Sequence, residues 1–224
     1  MIKLFDSLQS SKEKIFCLSF QRTGTTSVGQ FFKDFGYRVA GYDAERSTTW
    51  SKLRFLGDLE AIFHSSAFKK NQVFEDNPWF EEDFYKILFH RFPNAKFILF
   101  TRDANKWFDS MANHSYGKTL GNTFRHVKNY RREIEFYEKY TNQNYYENLH
   151  VIDNLLDLNE SHREHYTSIY RRRNKEVIDF FNYVSPKSLF VGKLEDPDKW
   201  QKLGGFFNLT VPKDYSVHSN KTNK

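Results

Sequence analysis

Lys14 to Phe32 reads KIFCLSFQRTGTTSVGQFF. An apolar run, Ile15 to Phe20, stops at the small polar turn Gln21-Arg22-Thr23-Gly24-Thr25-Thr26-Ser27. Val28, Phe31, Phe32 and Phe35 then recur at helical spacing. This is the pattern of a buried strand, a tight loop and a helix start. The first N–H groups of a helix lack intrahelical acceptors and form its positive dipole end, so they attract a phosphate or sulfate. Gly24 permits close backbone approach to such an anion. Arg22 can neutralise it, and the hydroxyls of Thr23, Thr25, Thr26 and Ser27 add donors. A serine/threonine-rich turn that only caps a helix is the plainer alternative. The strand before it and the apolar helix after it favour an anion-binding loop.

The loop is not that of the nucleotide triphosphatases, G-x-x-x-x-G-K-[ST]. Ser19 stands where that pattern has its first glycine, and Thr25 where it has its lysine. Here the basic residue precedes the glycine. The arrangement [K/R]-[ST]-G-T-T resembles the 5′-phosphosulfate loop of sulfotransferases that use 3′-phosphoadenosine 5′-phosphosulfate (PAPS). That resemblance implies a 5′-phosphate held by Arg22, Thr23, Gly24, Thr25 and Thr26, with Ser27 extending the set.

A second segment, Asn94 to Ser110, reads NAKFILFTRDANKWFDS. Lys96 to Phe100 predicts another buried strand, and a helix begins near Ala104 with Trp107, Phe108 and Met111 on its apolar side. Arg102 and Ser110 stand with seven residues between them. A guanidinium at a strand end can grip a phosphate with paired donors; pairing with Asp103 or a surface acid is the alternative. In the sulfotransferases a strand-Arg-(seven residues)-Ser segment holds the 3′-phosphate, so the resemblance assigns that role to Arg102 and Ser110.

The resemblance has a third part in VFEDNPWF, Val73 to Phe80. Heparan-type sulfotransferases carry a catalytic glutamate three residues before a proline or alanine, which Glu75 matches. Another branch has D-x-P-W, which Asp76-Asn77-Pro78-Trp79 matches. Both assignments remain open. One carboxylate would act as general base on an acceptor hydroxyl, while the other orients a side chain or makes the first less acidic by like-charge repulsion. Two solvated acids at a strand end are the alternative. Arg22 would join the catalytic set by meeting charge on the leaving phosphate. Small-molecule sulfotransferases use a histidine base instead, and His64 is the candidate for that role, although an ordinary helix position suits it as well. His90 reads as structural. HREH, His162 to His165, lacks zinc-site order, and no metal is expected.

The fold class that follows is α/β: a three-layer, P-loop-like arrangement of a mostly parallel central sheet with helices on both faces. The expected strands are 15–20, 71–75, 96–101 and 188–192, with Tyr37 to Ala40 as a fifth. Tyr130 to Tyr140 reads as helical, as do the stretch from Tyr166 to Phe181 and a short segment around Trp200. In such sheets ligands bind beyond the carboxyl ends of the strands, where the loop, Glu75-Asp76 and Arg102 all fall. A single domain, 1–224, is expected, with the phosphosulfate loop at 20–28, the 3′-phosphate segment at 97–111 and an acceptor lid at 112–164. His114, Tyr116, Phe124, Tyr137, Tyr145 and Tyr146 are candidate pocket-lining residues. The strand, the acid-x-x-x-x-Trp200 helix and the terminal HSNKTNK resemble the end of the sulfotransferase domain. Arg171, Arg172, Arg173, Lys193 and the Lys221 region are candidates to close the nucleotide site. A charge run such as Arg171 to Arg173 also suits a solvated helix face.

The net charge of +6 over 224 residues suits an anionic donor and an anionic acceptor. The basic residues are scattered and no nucleic-acid motif is present, so no nucleic-acid partner is expected. Cys17 is the lone cysteine, which leaves no intramolecular disulfide. No run is long and apolar enough for a membrane span, and the polar start does not read as a signal peptide, so the cytoplasm is expected. The reading is a metal-free, PAPS-dependent sulfotransferase acting on a small-molecule or glycan acceptor and releasing 3′,5′-adenosine bisphosphate. A P-loop phosphotransferase or nucleotide hydrolase, or a non-catalytic nucleotide-binding module, are the alternatives.

Overall fold

The computed structural model describes residues 13–114, 127–139, 156 and 158–217. In chain order its elements are β1 (Ile15–Cys17), α1 (Thr25–Asp34), β2 (Val39–Ala40), α2 (Tyr42–Thr48), α3 (Trp50–Phe55), α4 (Leu59–His64), α5 (Ser66–Lys70), β3 (Val73–Phe74), α6 (Phe84–Arg91), β4 (Lys96–Thr101), α7 (Ala104–Ala112), α8 (Glu133–Lys139), α9 (Arg163–Val184), β5 (Leu189–Lys193) and α10 (Lys199–Phe206). Of the sequence expectations, Tyr116, Phe124, Tyr145, Tyr146 and the Lys221 region lie outside the described residues, as does the side chain of Tyr137.

The strands carry apolar residues at successive positions, which is the signature of a sheet covered on both faces. They pair in the order β2-β3-β1-β4-β5, and every pairing is parallel. Period-2 alternation divides β1 between two cores. Ile15 and Cys17 join Val73, Ile98, Phe100 and Phe190 under Val28, Phe31 and Phe32 of α1 and Trp200 and Leu203 of α10. Phe16 and Leu18 join Phe74, Phe97 and Leu99 on the opposite face, under Phe63, Phe68, Phe84, Leu88, Val177 and Phe181. Phe16 sits at the centre of an aromatic cluster, with ring centroids 5.2 Å from Phe74, 5.4 Å from Trp79 and 5.8 Å from Phe97. The expected α/β class with helices on both faces of a parallel sheet is what forms.

β1 has strand geometry for three residues, shorter than its apolar run. Leu18 N–H still donates to Ile98 O at 2.8 Å. Beyond it the ladder is replaced by a side chain: the buried Ser19 Oγ accepts the Phe100 N–H at 2.8 Å, and the Cys17 thiol lies 3.4 Å from the same oxygen. The run stays buried through Phe20, so its apolar character marks core rather than ladder.

The strand order explains where the loop sits. From β1 the chain passes toward the β2 edge, whereas from β4 it passes toward β5. Neighbouring strands with connections in opposite directions leave a crevice at their carboxyl ends, the switch point at which such sheets bind ligands. The loop after β1 occupies that position.

The chain divides into two compact units, one of residues up to Thr101 with Glu176 onward, the other of Arg102–Lys175. The sheet and both cores belong to the first. Among the described residues no helix is long and apolar enough to cross a membrane.

Ser19→Ala strands a buried Phe100 N–H and is expected to lower stability by about 1–3 kcal/mol. Urea unfolding should show this as a lower midpoint with an unchanged slope.

Candidate active site

The turn from β1 into α1 is built from two left-handed residues, Arg22 at φ 63° and Gly24 at φ 86°. A side chain in that region costs roughly 1–3 kcal/mol and persists where the surroundings impose it. Thr23, fully buried between them, donates its hydroxyl to Phe20 O, which ties the turn to the strand end. That proton is committed inside the turn, so a contribution of Thr23 to an anion site falls to its backbone N–H. Gly24 is required twice over: its φ favours glycine, and a Cβ there would lie 2.8 Å from Leu194 Cδ1. Leu194, just past β5, is held by its N–H donating to Thr101 O at 2.7 Å. The sequence carried no sign of this contact.

Gly24 is the N-cap of α1 and carries no side chain to cap it. The first intrahelical bond runs from Val28 N–H to Gly24 O at 3.0 Å, so the Thr25, Thr26 and Ser27 amides precede the ladder. No acid occupies the first turn, and Lys33 lies in the last. Thr26 is exposed, whereas Thr25 and Ser27 are buried. A helix N-terminus with a glycine entry and an adjacent arginine has the donor types that a phosphate or sulfate requires.

Glu75 and Asp76 follow β3, the strand beside β1. Glu75 is 7% exposed, and its backbone N–H donates to Ala40 O at 3.1 Å. Its carboxyl fills a slot left by two missing side chains. A Cβ on Gly41 would lie 2.3 Å from Glu75 Oε1, and one on Gly29 would lie 3.1 Å from Glu75 Cγ. The Thr25 side chain hydrogen-bonds to that carboxyl. Burial first, and then the charge of Asp76, push Glu75 up to about 8, against the opposing pull of Lys33 and the Thr25 hydrogen bond. Asp76 is half-buried and left-handed at φ 74°. Cys17, on β1, is pushed up to about 12, chiefly by burial, and remains a thiol. The two glycines were not singled out from the sequence. The available signal was Gly29 itself, a glycine inside an otherwise regular helical pattern, which usually has a packing reason.

Arg102 and Ser110 belong to the second unit. Arg102 N–H donates to Tyr170 Oη at 3.0 Å, and Tyr170 stacks on Trp107 of α7 with centroids 4.4 Å apart. Asp103 caps α7 through Oδ1, which accepts from Asn105 and Lys106 amides. Ser110 lies half-buried two turns into that helix. In the same unit Arg132 is buried, paired with Glu135 and donating to Tyr166 Oη. The His162 and His165 rings tether this region, to the Asn159 amide and Tyr130 O respectively. Of the Arg171–Arg173 run, the first two are exposed and Arg173 is buried. His64 ends α4 with an exposed ring, its Nδ1 2.9 Å from Glu60 O. Lys193, the last residue of β5, is exposed. Among the described residues no group of three or more His, Cys, Asp or Glu is arranged to hold a metal ion.

Residues 14–224 match the family model described as a sulfotransferase domain. No curated protein matches the chain.

Because Glu75 is raised from an ordinary carboxyl range to about 8, the native state retains a proton there that the unfolded chain loses. Stability from this group is complete at low pH and falls as pH rises from about 4.5 toward 8. Glu75→Gln removes that dependence. Its melting temperature relative to the parent should climb steadily between pH 5 and pH 8 and level off above, a trend read by thermal denaturation across pH.

Proposed function

Since the chain belongs to the sulfotransferase-domain family, we propose that it moves a sulfuryl group from PAPS to a hydroxyl or amine of a small-molecule or glycan acceptor. The observation that carries this reading is the start of α1 at the switch point of the sheet, entered through left-handed Gly24. Its donor set fits a 5′-phosphosulfate, and Thr25 stands where a triphosphatase loop would need lysine.

The donor supplies a sulfuryl group whose link to the 5′-phosphate breaks as an acceptor atom bonds to sulfur. The residues of the chain position and stabilise. Arg22 and the amides of Thr23, Gly24, Thr25, Thr26 and Ser27 hold the 5′-phosphate and offset the charge that builds on it. Arg102 and Ser110 take the 3′-phosphate, the role that the family resemblance assigns them. A carboxylate of the Glu75–Asp76 pair accepts the acceptor's proton. Fixed cations and amide dipoles provide the electrostatic stabilisation, so no metal is required for this chemistry. The basic balance of the chain favours anionic ligands.

The test is calorimetric titration with 3′,5′-adenosine bisphosphate in the absence of magnesium, with ADP and ATP alongside. The bisphosphate is expected to bind tightly. Arg102→Ala is expected to weaken it by about 1.5–3 kcal/mol, the range for a hydrogen bond to a charged group. Binding of ATP alone, and only with magnesium, would replace this reading with a phosphotransferase.

A further inference from the structure

The slot around Glu75 is more specific than a strand-end acid requires. Its floor and wall are the two positions, Gly29 on α1 and Gly41 ahead of α2, where any side chain would collide with or crowd the carboxyl. The group that occupies it is nearly inaccessible. Its hydrogen-bond partner is Thr25, the first residue of the helix whose start forms the anion loop. A base for an external acceptor needs reach toward that acceptor. Glu75 is instead turned beneath the loop.

We propose that Glu75 is a positioning residue of the donor site: its carboxyl, seated in the Gly29–Gly41 slot, sets the direction in which the Thr25 hydroxyl donates. This rests on the donor reading above. When Glu75 carries its proton, it can donate to Thr25 Oγ1, and the Thr25 hydroxyl is then available to a phosphate oxygen. When Glu75 is ionised, the Thr25 hydroxyl donates back to the carboxylate, and a negative charge lies under the anion loop. Donor affinity therefore depends on the protonation of Glu75, and the acceptor's base is Asp76. The groups facing Glu75 are Asp76 from its own strand end, Lys33 from α1 and the Cys17 thiol from β1. Raised by burial and by Asp76 to about 8, Glu75 changes state within an accessible pH range.

The experiment measures the dissociation constant of 3′,5′-adenosine bisphosphate from pH 6.5 to 9.5. Phosphate monoesters lose their second proton near pH 6, so the ligand charge is constant over the upper range. The parent is expected to lose about tenfold or more in affinity between pH 7 and pH 9.5, the effect of one pKa unit of coupling. Glu75→Gln, which keeps shape and a donor, is expected to bind at pH 7 and to show no alkaline loss. Asp76→Asn removes the charge that raises Glu75, and should move the loss to lower pH. Lys14 also lies at about 8, but it precedes β1 at the opposite end of the sheet and is intact in Glu75→Gln, so the variant separates the two. Gly41→Ala, which places a methyl in the slot, should weaken binding at pH 7. A flat profile in the parent, or an alkaline loss that persists in Glu75→Gln, overturns the inference and leaves the donor reading standing. Absence of bisphosphate binding at every pH overturns both.

Discussion

The parallel pairing of β1 between β3 and β4 is the constraint on which the rest of the first unit depends. A strand hydrogen-bonded on both sides and covered on both faces has no polar group to offer solvent, so all of its chemistry is displaced to its carboxyl end. Ending such a strand is itself a problem, because the neighbouring ladder continues on β4 after β1 has stopped. The Ser19 hydroxyl resolves it by accepting the Phe100 N–H. A glycine at that position, as in the triphosphatase loop, could not do so. The following turn is then free to reverse through Arg22 and Gly24 and to start a helix whose first amides lie beyond the sheet.

The same geometry sets up the carboxyl slot. Parallel order brings the end of β3 beside the end of β1, so the residue following β3 meets the first turns of α1. A glutamate there meets Thr25 and Gly29 on one side and Gly41 on the other. Burial makes its charged form costly, and Asp76 adds to that cost. Such a group weakens the fold at neutral pH compared with an uncharged isostere. Stability given up at one position is a frequent mark of a functional constraint.

Much of this architecture was legible in the chain. The five strands, the helix after the loop and the helix after Thr101 follow from apolar runs and helical spacing, signals that depend only on burial and backbone period. The glycine turn between β1 and α1 was legible because an apolar run, a small polar stretch with glycine and a helical pattern follow one another in the sequence. What was not legible depends on contacts between distant segments. Gly41, Gly29 and Glu75 are far apart in sequence and meet only through the strand order. Leu194 over Gly24 requires β5 to lie beside β4. The commitment of the Thr23 hydroxyl to Phe20 O is a local turn geometry that composition does not encode. Between Ala112 and Glu164 only the stretch around Tyr130 to Tyr140 carried a helical period, and α8 forms there.

The two adjacent carboxylates illustrate how the end of a parallel strand can separate two like groups. Successive residues at a strand end point to opposite sides of the sheet, and the left-handed φ of Asp76 adds a turn to the chain at that point. Two acids side by side in sequence are thereby placed in unlike surroundings, one nearly buried and one half-exposed. Burial first, and then the charge of its neighbour Asp76, raise Glu75. Environment rather than residue type separates the pair, and under the proposed function Glu75 is the neutral hydrogen-bonding acid and Asp76 the proton acceptor. Under that proposal no third titrating group is needed: the charge that would let Asp76 take a proton is also one that helps Glu75 keep its own.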